Sequence, residues 1–383
     1  MARLAVLASF SGTGGVERML VNLLTGFAAL GVAVDLLTIR ADSPYLQDLP
    51  NQNLRVVPLG ARHALTALPA LIRYLRRERP LVLLVAKDRA GRMAVLARAL
   101  SGVPVRLVLR LGTHLTASLK NQPAWRRGLR RLPIRLLYPH LDGIVAVSQG
   151  VAEDIATLAR LPRDRIQVIP NPVITSALLA RAQEPPSHPW AAPGEPPLIL
   201  AAGRLTVQKD FPTLVRAFAR LPSTLPCRLM ILGKGNPAPL MDLARQLGVA
   251  ERLVIPGFMA NPHALMARAA LFVLSSRWEG SPNVLTEALA LGIPAVSTDC
   301  PSGPREILGP LAGFYADPGP LVPVGDVEAM ARAMAATLTN PPPATTLRQA
   351  AVPYHQTLSV QRYLVALGLL IPETHPDAVI EPL

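Results

Sequence analysis

Two carboxylates, Glu279 and Glu287, stand eight residues apart in the stretch SSRWEGSPNVLTEALALGIPAVSTDCPSGPREIL, residues 275–308, with Ser-Pro-Asn between them. Glu287 falls beside Leu285, Ala288 and Leu289, where a carboxylate is tolerated only if it finds a polar partner. A ribose, with two hydroxyl donors, meets that need, and Glu279 on the preceding loop could hold further sugar hydroxyls. Ser281 suits a helix cap, Pro282 the first helical position and Gly292 the stop. The amides of Asn283, Val284 and Leu285 would then point out of the helix end toward an anion. An ordinary helix with an acidic first turn is the plain alternative. It accounts for Glu279 better than for Glu287.

Cations suited to a diphosphate stand in AAGRLTVQKDFPTLVRAF, residues 201–218, where Gly203 ends an apolar run and Arg204 and Lys209 follow before the next helix. Arginine grips phosphate oxygens through its planar fork, and lysine acts as a point charge. Solvated loop charges are the alternative. In SFSGTGGVERMLVNLL, residues 9–24, a glycine-rich turn leads into a helix near Val16; such a turn lets the backbone approach a ligand and offers it free N–H groups. Glu17 occupies the position where a dinucleotide fingerprint needs its last glycine, which excludes that reading. A tight turn without a ligand stays open. His114 follows a strand and a glycine in VRLVLRLGTHLTASLK, residues 105–120, and a lone histidine there is more often structural or exposed than catalytic. There is no His-Glu-x-x-His, no Gly-x-Ser-x-Gly, no Walker loop and no Asp-x-Asp pair, so the usual metalloprotease, hydrolase and P-loop chemistries are disfavoured.

These residues hang on a repeated rhythm of short apolar runs and helical stretches. The runs are 3–9, 33–39, 54–59, 81–86, 105–110, 143–148 and 165–170, then 197–203, 228–233, 252–257, 271–276 and 294–299. Uninterrupted apolar runs between helices indicate parallel strands buried on both faces, so an α/β architecture occurs twice. The 383 residues suit two domains, placed at 1–175 and 176–354, with the proline-rich stretch EPPSHPWAAPGEPP, 184–197, as a linker. A last helical stretch, within about 355–372, remains. Two cysteines, Cys227 and Cys300, give neither a disulfide framework nor a metal spacing, which fits a cytoplasmic protein. Residues 1–10 mimic a short signal peptide but read better as a first strand, and no apolar run is convincing as a membrane span.

The net charge of +14 is uneven: residues 1–175 carry 24 Lys/Arg against 10 Asp/Glu, and residues 176–383 carry 15 of each. The first half therefore suits an anionic partner, unless the arginines express compositional bias alone. In KNQPAWRRGLRRLPIRLLYPH, residues 120–140, Trp125, Leu129, Leu132 and Leu136 share one helical stripe, and Arg126, Arg127, Arg130, Arg131 and Arg135 fill the rest. That pattern suits a helix lying in an anionic membrane surface, with Pro133 as an interruption. A helix packed on the sheet by its leucines fits equally well. With aromatics at 4%, nucleic acid has no stacking platform and is a weaker partner.

The pieces together resemble the retaining glycosyltransferases of family 4, which have the two-Rossmann fold called GT-B. The carriers span most of the chain: GTGGVER (12–18), AVSQGVAEDI (146–155), VIPNPV (168–173), AAGRLTVQKDF (201–211), ILGKGN (231–236), EGSPNVLTEALALGIPAVSTD (279–299), PREIL (304–308) and VPVGD (322–326). Each is weak alone, and the ordered set is specific. The resemblance implies two Rossmann-like domains facing across a cleft, with the C-terminal helix crossing back to the first. It gives Glu287 the ribose of a nucleotide-sugar donor, Glu279 the transferred sugar, and Arg204 and Lys209 the diphosphate. Gly203, Gly233 and the Asn283–Leu285 helix start join the donor site, Gly14 and Gly15 form the loop that closes on it, and His114 stands near the sugar. LGTH and EGSPNV depart from the family's commoner forms at these positions. The resemblance further implies a UDP-sugar as donor and no metal or cofactor, and the basic first half with its arginine–leucine stripe suggests a saccharide or lipid-linked saccharide acceptor at the membrane face. The chain would act in envelope polysaccharide or lipopolysaccharide synthesis as a peripheral protein of the inner membrane face. A nucleotide-sugar epimerase and a non-catalytic sugar-nucleotide binder share the fold and remain alternatives.

Overall fold

A computed structural model describes residues 4–12, 14–120 and 123–370, without the side chains of Ala124 and Arg126; Thr13 of the glycine-rich turn, and Asn121 and Gln122 before the arginine-rich helix, lie outside the described residues. The chain forms two compact units. One runs to Val173 and resumes at His355, and the other runs from Ile174 to Tyr354.

In the first unit the order is β1 (Leu4–Phe10), α1 (Gly15–Ala29), β2 (Val34–Ala41), β3 (Leu54–Pro58), α2 (Leu68–Glu78), β4 (Val82–Ala86), α3 (Asp88–Ser101), β5 (Arg106–Leu111), α4 (Leu115–Leu119), α5 (Ala124–Leu137), β6 (Gly143–Ala146), α6 (Gln149–Ala159) and β7 (Ile166–Val168). The second unit continues with α7 (Ser176–Gln183), β8 (Leu198–Ala202), α8 (Phe211–Ala219), β9 (Arg228–Leu232), α9 (Ala238–Gln246), β10 (Leu253–Gly257), α10 (Pro262–Met266), β11 (Leu271–Leu274), α11 (Asn283–Ala290), β12 (Ala295–Thr298), α12 (Pro304–Leu308), β13 (Leu321–Val322), α13 (Val327–Thr339) and α14 (Ala344–Ala351). Helix α15 (Gln356–Leu367) returns to the first.

Both sheets are parallel throughout their paired strands, in the orders β3-β2-β1-β4-β5-β6-β7 and β10-β9-β8-β11-β12-β13. Each sheet is a Rossmann-like α/β layer, and each apolar run expected as a strand is one. The two-residue β13 was not foreseen, being too short to show a period. The central strands β1, β4 and β8 are buried at almost every position, as a sheet covered by helices on both faces requires. In each sheet the order reverses once, between β1 and β4 and between β8 and β11. Ligands of open α/β sheets bind at such reversals, outside the carboxyl ends of the strands.

The stretch 184–197 is not the linker that its prolines suggested. It lies inside the second unit, joining α7 to β8 through a short turn at Pro189–Ala191. Arg228 stacks over Trp190 at 4.9 Å and pairs with Glu195. Proline marked irregular backbone correctly, but packing of this kind gives irregular backbone a fixed place within a domain.

Helix α15 belongs to the core of the first unit: Val360, Tyr363, Leu364 and Leu367 pack with Leu20, Leu24 and Phe27 of α1 and with inward residues of β1. The approach depends on Gly26, where an added Cβ would come within 2.4 Å of Val360 Cγ2. The Gln356 amide donates to the Asn22 carbonyl in the same seam.

Of the two placements open for the leucines of helix α5, packing on the sheet is not the one observed. Ile134 in the helix and Tyr138 just past its end are buried at 2% and 0% exposure, whereas Trp125, Leu129, Leu132 and Leu136 are 60–67% exposed. At about 100° per residue, Ile134 lies diametrically opposite that stripe. Nor does Pro133 interrupt the helix, which continues to Leu137; the lost N–H forfeits one intrahelical bond and no more.

Candidate active site

The second unit gathers charge where its sheet order reverses. Gly203, Arg204 and Lys209 follow β8, and Ser275, Ser276 and Glu279 follow its neighbour β11. Lys209 Nζ lies 2.7 Å from Glu279 Oε1, and the Ser276 hydroxyl donates to the same oxygen at 2.6 Å. The Ser275 hydroxyl donates to the Lys209 carbonyl at 2.7 Å and ties the two loops. Asp210 takes a left-handed backbone, φ 45°, and its carboxylate accepts from the Thr213 hydroxyl and from Arg277 Nε, both at 3.0 Å. A non-glycine residue holds that conformation only when its surroundings fix it, and here the fixed turn aims Lys209.

Two glycines make the nest. A Cβ on Gly233, at the end of β9, would fall 1.8 Å from the Gly203 carbonyl oxygen, and one on Gly203 would fall 2.8 Å from Lys209 Cε. The loops after β8 and β9 therefore touch backbone to backbone, and the lysine stem crosses Gly203. Arg204 is exposed, and its guanidinium makes no hydrogen bond or ion pair among the described residues. Glu279 is 7% exposed as a residue. Burial pushes the nearby Cys300 thiol up to about 12, and the charge of Glu279 adds to the shift. At neutral pH this cysteine is an inert thiol.

Helix α11 starts one residue later than the spacing predicted. Pro282, not Ser281, is the cap residue, and no side chain caps the helix. The Leu285 amide is not open to a ligand, because it donates to the Pro282 carbonyl at 3.0 Å. Asn283 and Val284, the other two residues whose amides were expected to meet an anion, are the first two of the helix. Glu287 is 9% exposed, and the partner its burial requires is protein as well as any ligand: His263 Nε2 of α10 lies 3.5 Å from Glu287 Oε2. His263 Nδ1 is buried with no partner among the described residues. Nothing local marks His263, which stands in an otherwise apolar helix 24 positions from Glu287. Replacing Glu287 with alanine is expected to weaken nucleotide binding about 10- to 100-fold, the worth of hydrogen bonds to a charged acceptor. His263→Leu should weaken it less, by loosening the carboxylate. Calorimetry on the two variants checks both.

In the first unit the reversal between β1 and β4 carries the glycine-rich turn. Gly14 is the cap residue of α1 and Gly15 its first residue. A Cβ on Gly14 would come within 2.9 Å of Glu17 Oε2. Glu17 is 6% exposed and paired with Lys87, whose Nζ lies 3.3 Å away and also reaches the Ser9 carbonyl at 3.4 Å. Lys87 follows β4 with φ 80°, a strained conformation at the position where such sheets bind ligands. Sequence reading missed it; the available signal was a cation directly after an apolar run. His114, expected just after a strand, is the cap of α4. Its Nδ1 accepts from the Ala117 amide at 3.2 Å and lies 3.4 Å from Asp154 Oδ1.

Gly203, Gly233, Lys209 and Glu279 thus form one cluster, with Arg204 at its rim, and Glu287 forms a second contact with His263. Gly14, Gly15 and His114 belong to the other unit, and His114 follows β5 rather than the strands at the reversal. The second-unit arrangement can take a diphosphate on Arg204 and Lys209, and sugar hydroxyls on its two carboxylates.

Residues 184–352 match the family described as glycosyl transferases group 1, and residues 14–172 match the glycosyl transferase 4-like domain. The chain is 32% identical, over 58% of each chain, to the N-acetylgalactosamine-N,N'-diacetylbacillosaminyl-diphospho-undecaprenol 4-alpha-N-acetylgalactosaminyltransferase of Campylobacter jejuni. It is 29% identical to a lipopolysaccharide core biosynthesis glycosyltransferase of Rhizobium meliloti, over 85% of this chain and 86% of that one. The matches span about half the length of the first curated relatives, 45% and 58%. An Anabaena protein solved in complex with UDP superposes with a TM-score of 0.75 over 97% of this chain and 100% of that one, at 16% identity. That likeness is one of fold, and the fold is GT-B.

Proposed function

Because this chain belongs to the glycosyl transferases group 1, with a 4-like first half, we propose that it moves a sugar, with retention, from a nucleotide diphosphate sugar to a hydroxyl of a saccharide. The observation that carries the reading is the meeting of Lys209 and Glu279 at the β8–β11 reversal, beside Gly203 and an exposed Arg204 that has no partner among the described residues. One cation is held by the carboxylate that would position the sugar, and the other is free to take phosphate.

In this reading the acceptor oxygen attacks the anomeric carbon from the face the leaving group departs. The bond from that carbon to the diphosphate oxygen breaks, and its electron pair goes to the diphosphate. The acceptor's proton passes to the same leaving oxygen. Arg204, Lys209 and the start of α11 stabilise the charge that grows there. Glu279 positions the sugar through its hydroxyls and forms no covalent intermediate. Two side-chain cations supply the compensating charge, so no metal is called for.

UDP is the donor nucleotide of this proposal, and the acceptor is a lipid-linked saccharide of envelope polysaccharide synthesis at the inner membrane face. The diphospho-undecaprenol in the name of the Campylobacter relative supports that class. The test is calorimetry with UDP and GDP in the presence of a chelator, followed by release of the bound nucleotide from its hexose and N-acetylhexosamine sugars. UDP should bind, and turnover should survive chelation. Binding of neither nucleotide, or strict dependence on a divalent ion, overturns the reading.

A further inference from the structure

Helix α5 presents an exposed apolar face. Trp125, Leu129, Leu132 and Leu136 are 62%, 67%, 60% and 60% exposed, and they recur at intervals of three and four along a 14-residue helix. At about 1.5 Å per residue the stripe runs for about 16 Å. The helix is not loosely attached: Ile134 on its opposite side is 2% exposed, and Tyr138 just past its end is fully buried with its hydroxyl donating to Asp88 at 2.9 Å. The exposure is therefore a fixed property of the fold, not of a frayed segment. No helix among the described residues is long and apolar enough to cross a membrane, so the stripe belongs to a surface.

The charges around the stripe select its occupant. Residues 124–137 contain five arginines and no acidic residue. Arg131 and Arg135 are exposed, and Arg127 and Arg130 are half-buried; their long stems can run along the apolar stripe and carry the guanidinium groups to its edges. The whole basic surplus of the chain lies in residues 1–175, 24 Lys/Arg against 10 Asp/Glu. A second copy docking by the same face would bring these arginines against their own kind. A nucleic acid would satisfy the charges and leave four large apolar side chains in water. A leaflet rich in anionic lipid headgroups satisfies both, with acyl chains for the leucines and phosphates for the arginines. Trp125, at the amino end of the stripe, has the amphipathic ring that settles at such an interface.

We propose that α5 is a membrane-docking helix that lies in the plane of an anionic lipid surface with Trp125, Leu129, Leu132 and Leu136 immersed. This deepens the reading of a membrane-presented acceptor and is tested apart from it, since lipid binding needs neither donor nor turnover.

The test is flotation of the full chain with phosphatidylcholine vesicles, with and without about a third phosphatidylglycerol, at low and high salt, alongside tryptophan fluorescence. The wild type should float with the anionic vesicles, less so at high salt, with a blue shift that Trp125→Leu removes. Leu129→Glu/Leu132→Glu should lose at least about tenfold in partitioning. Arg127→Gln/Arg131→Gln should lose about fivefold per charge. These side chains are exposed or half-buried on a helix anchored elsewhere, so circular dichroism and turnover on a short water-soluble saccharide should not change. The proposal fails if the wild type stays at the bottom of the gradient with anionic vesicles, or if the leucine double variant floats as well as the wild type. It also fails if the double variant abolishes a lipid-independent dimer, which gives the face to a second copy, or if the wild type leaves the vesicles for added nucleic acid.

Discussion

Arg204→Ala should lower turnover about a thousandfold and leave the fold untouched. The side chain is exposed and makes no hydrogen bond or ion pair among the described residues, so its removal breaks nothing in the free protein. In the proposed reaction its place, directly after Gly203 at the end of β8 and at the rim of the Lys209–Glu279 cluster, would make it a donor to charge that develops only as the donor bond breaks. Removing one such preorganised donor elsewhere costs about 10²–10³ in rate. An arginine contributes two parallel N–H groups, which puts the expectation at the upper end. Arg204→Lys should recover part of the loss, because it restores charge without the fork. Steady-state kinetics with saturating donor, beside a thermal melt, makes the check. Near-normal turnover removes Arg204 from the reaction, and a lowered melting temperature would mean that it holds the fold.

Lys209 should behave differently, because it does two things at once. Its Nζ is 2.7 Å from Glu279 Oε1, and the two side chains are only 16% and 10% exposed. Lys209→Ala leaves the carboxylate buried with the Ser276 hydroxyl and no cation. Breaking a buried pair from one side costs about 3–5 kcal/mol. Turnover should fall at least as far as for Arg204→Ala, since the diphosphate loses its second cation and Glu279 loses its anchor. Glu279→Gln alone should cost less stability, because a neutral amide can still accept from Lys209 and Ser276. The decisive variant is Lys209→Met/Glu279→Gln. It removes both charges, so it should regain most of the stability and none of the turnover. Chemical denaturation and kinetics on the three variants separate the roles. If Lys209→Ala unfolds at the wild-type denaturant concentration, the pair carries no structural load, and the cluster must be read as two independent ligands for substrate.

The sheets were legible because β1, β4 and β8 are apolar at nearly every position, and only a strand covered on both faces is written that way. The turn residues were legible too: glycines at 203 and 233 mark places where backbone must touch backbone or lysine stem, and nothing larger fits. Contacts made at long range were not legible. Lys209 and Glu279 are 70 positions apart, and the sequence proposed a ligand for each without showing that they hold one another. Glu287 advertised a missing partner, but His263 sits in a short helix with no local feature to announce it. Lys87 and Glu17 were invisible as a pair for the same reason. Where composition was taken as geometry, the reading went wrong. Prolines at 184–197 suggested a boundary and belong to a packed segment anchored by Trp190. The α5 leucines look alike whether they face a sheet or solvent, and only the burial of Ile134 and Tyr138 on the other side decides.

The return of α15 to the first unit has a consequence for how the protein is made. The sheet of that unit is complete once residue 173 has been synthesised, but one of its faces and the groove of α1 beside Gly26 wait for Val360, Tyr363 and Leu364. Roughly 180 residues separate the two, on the order of ten to forty seconds of synthesis at about 5–20 residues per second. During that interval the second unit can finish from its own continuous sequence, whereas the first, though born earlier, must keep an apolar face out of trouble. The nascent chain therefore matures in the reverse of its order of synthesis. A ribosome stalled before residue 356 would display a protease-sensitive first half and a resistant second half, and chaperones would be needed most for the part that was made first.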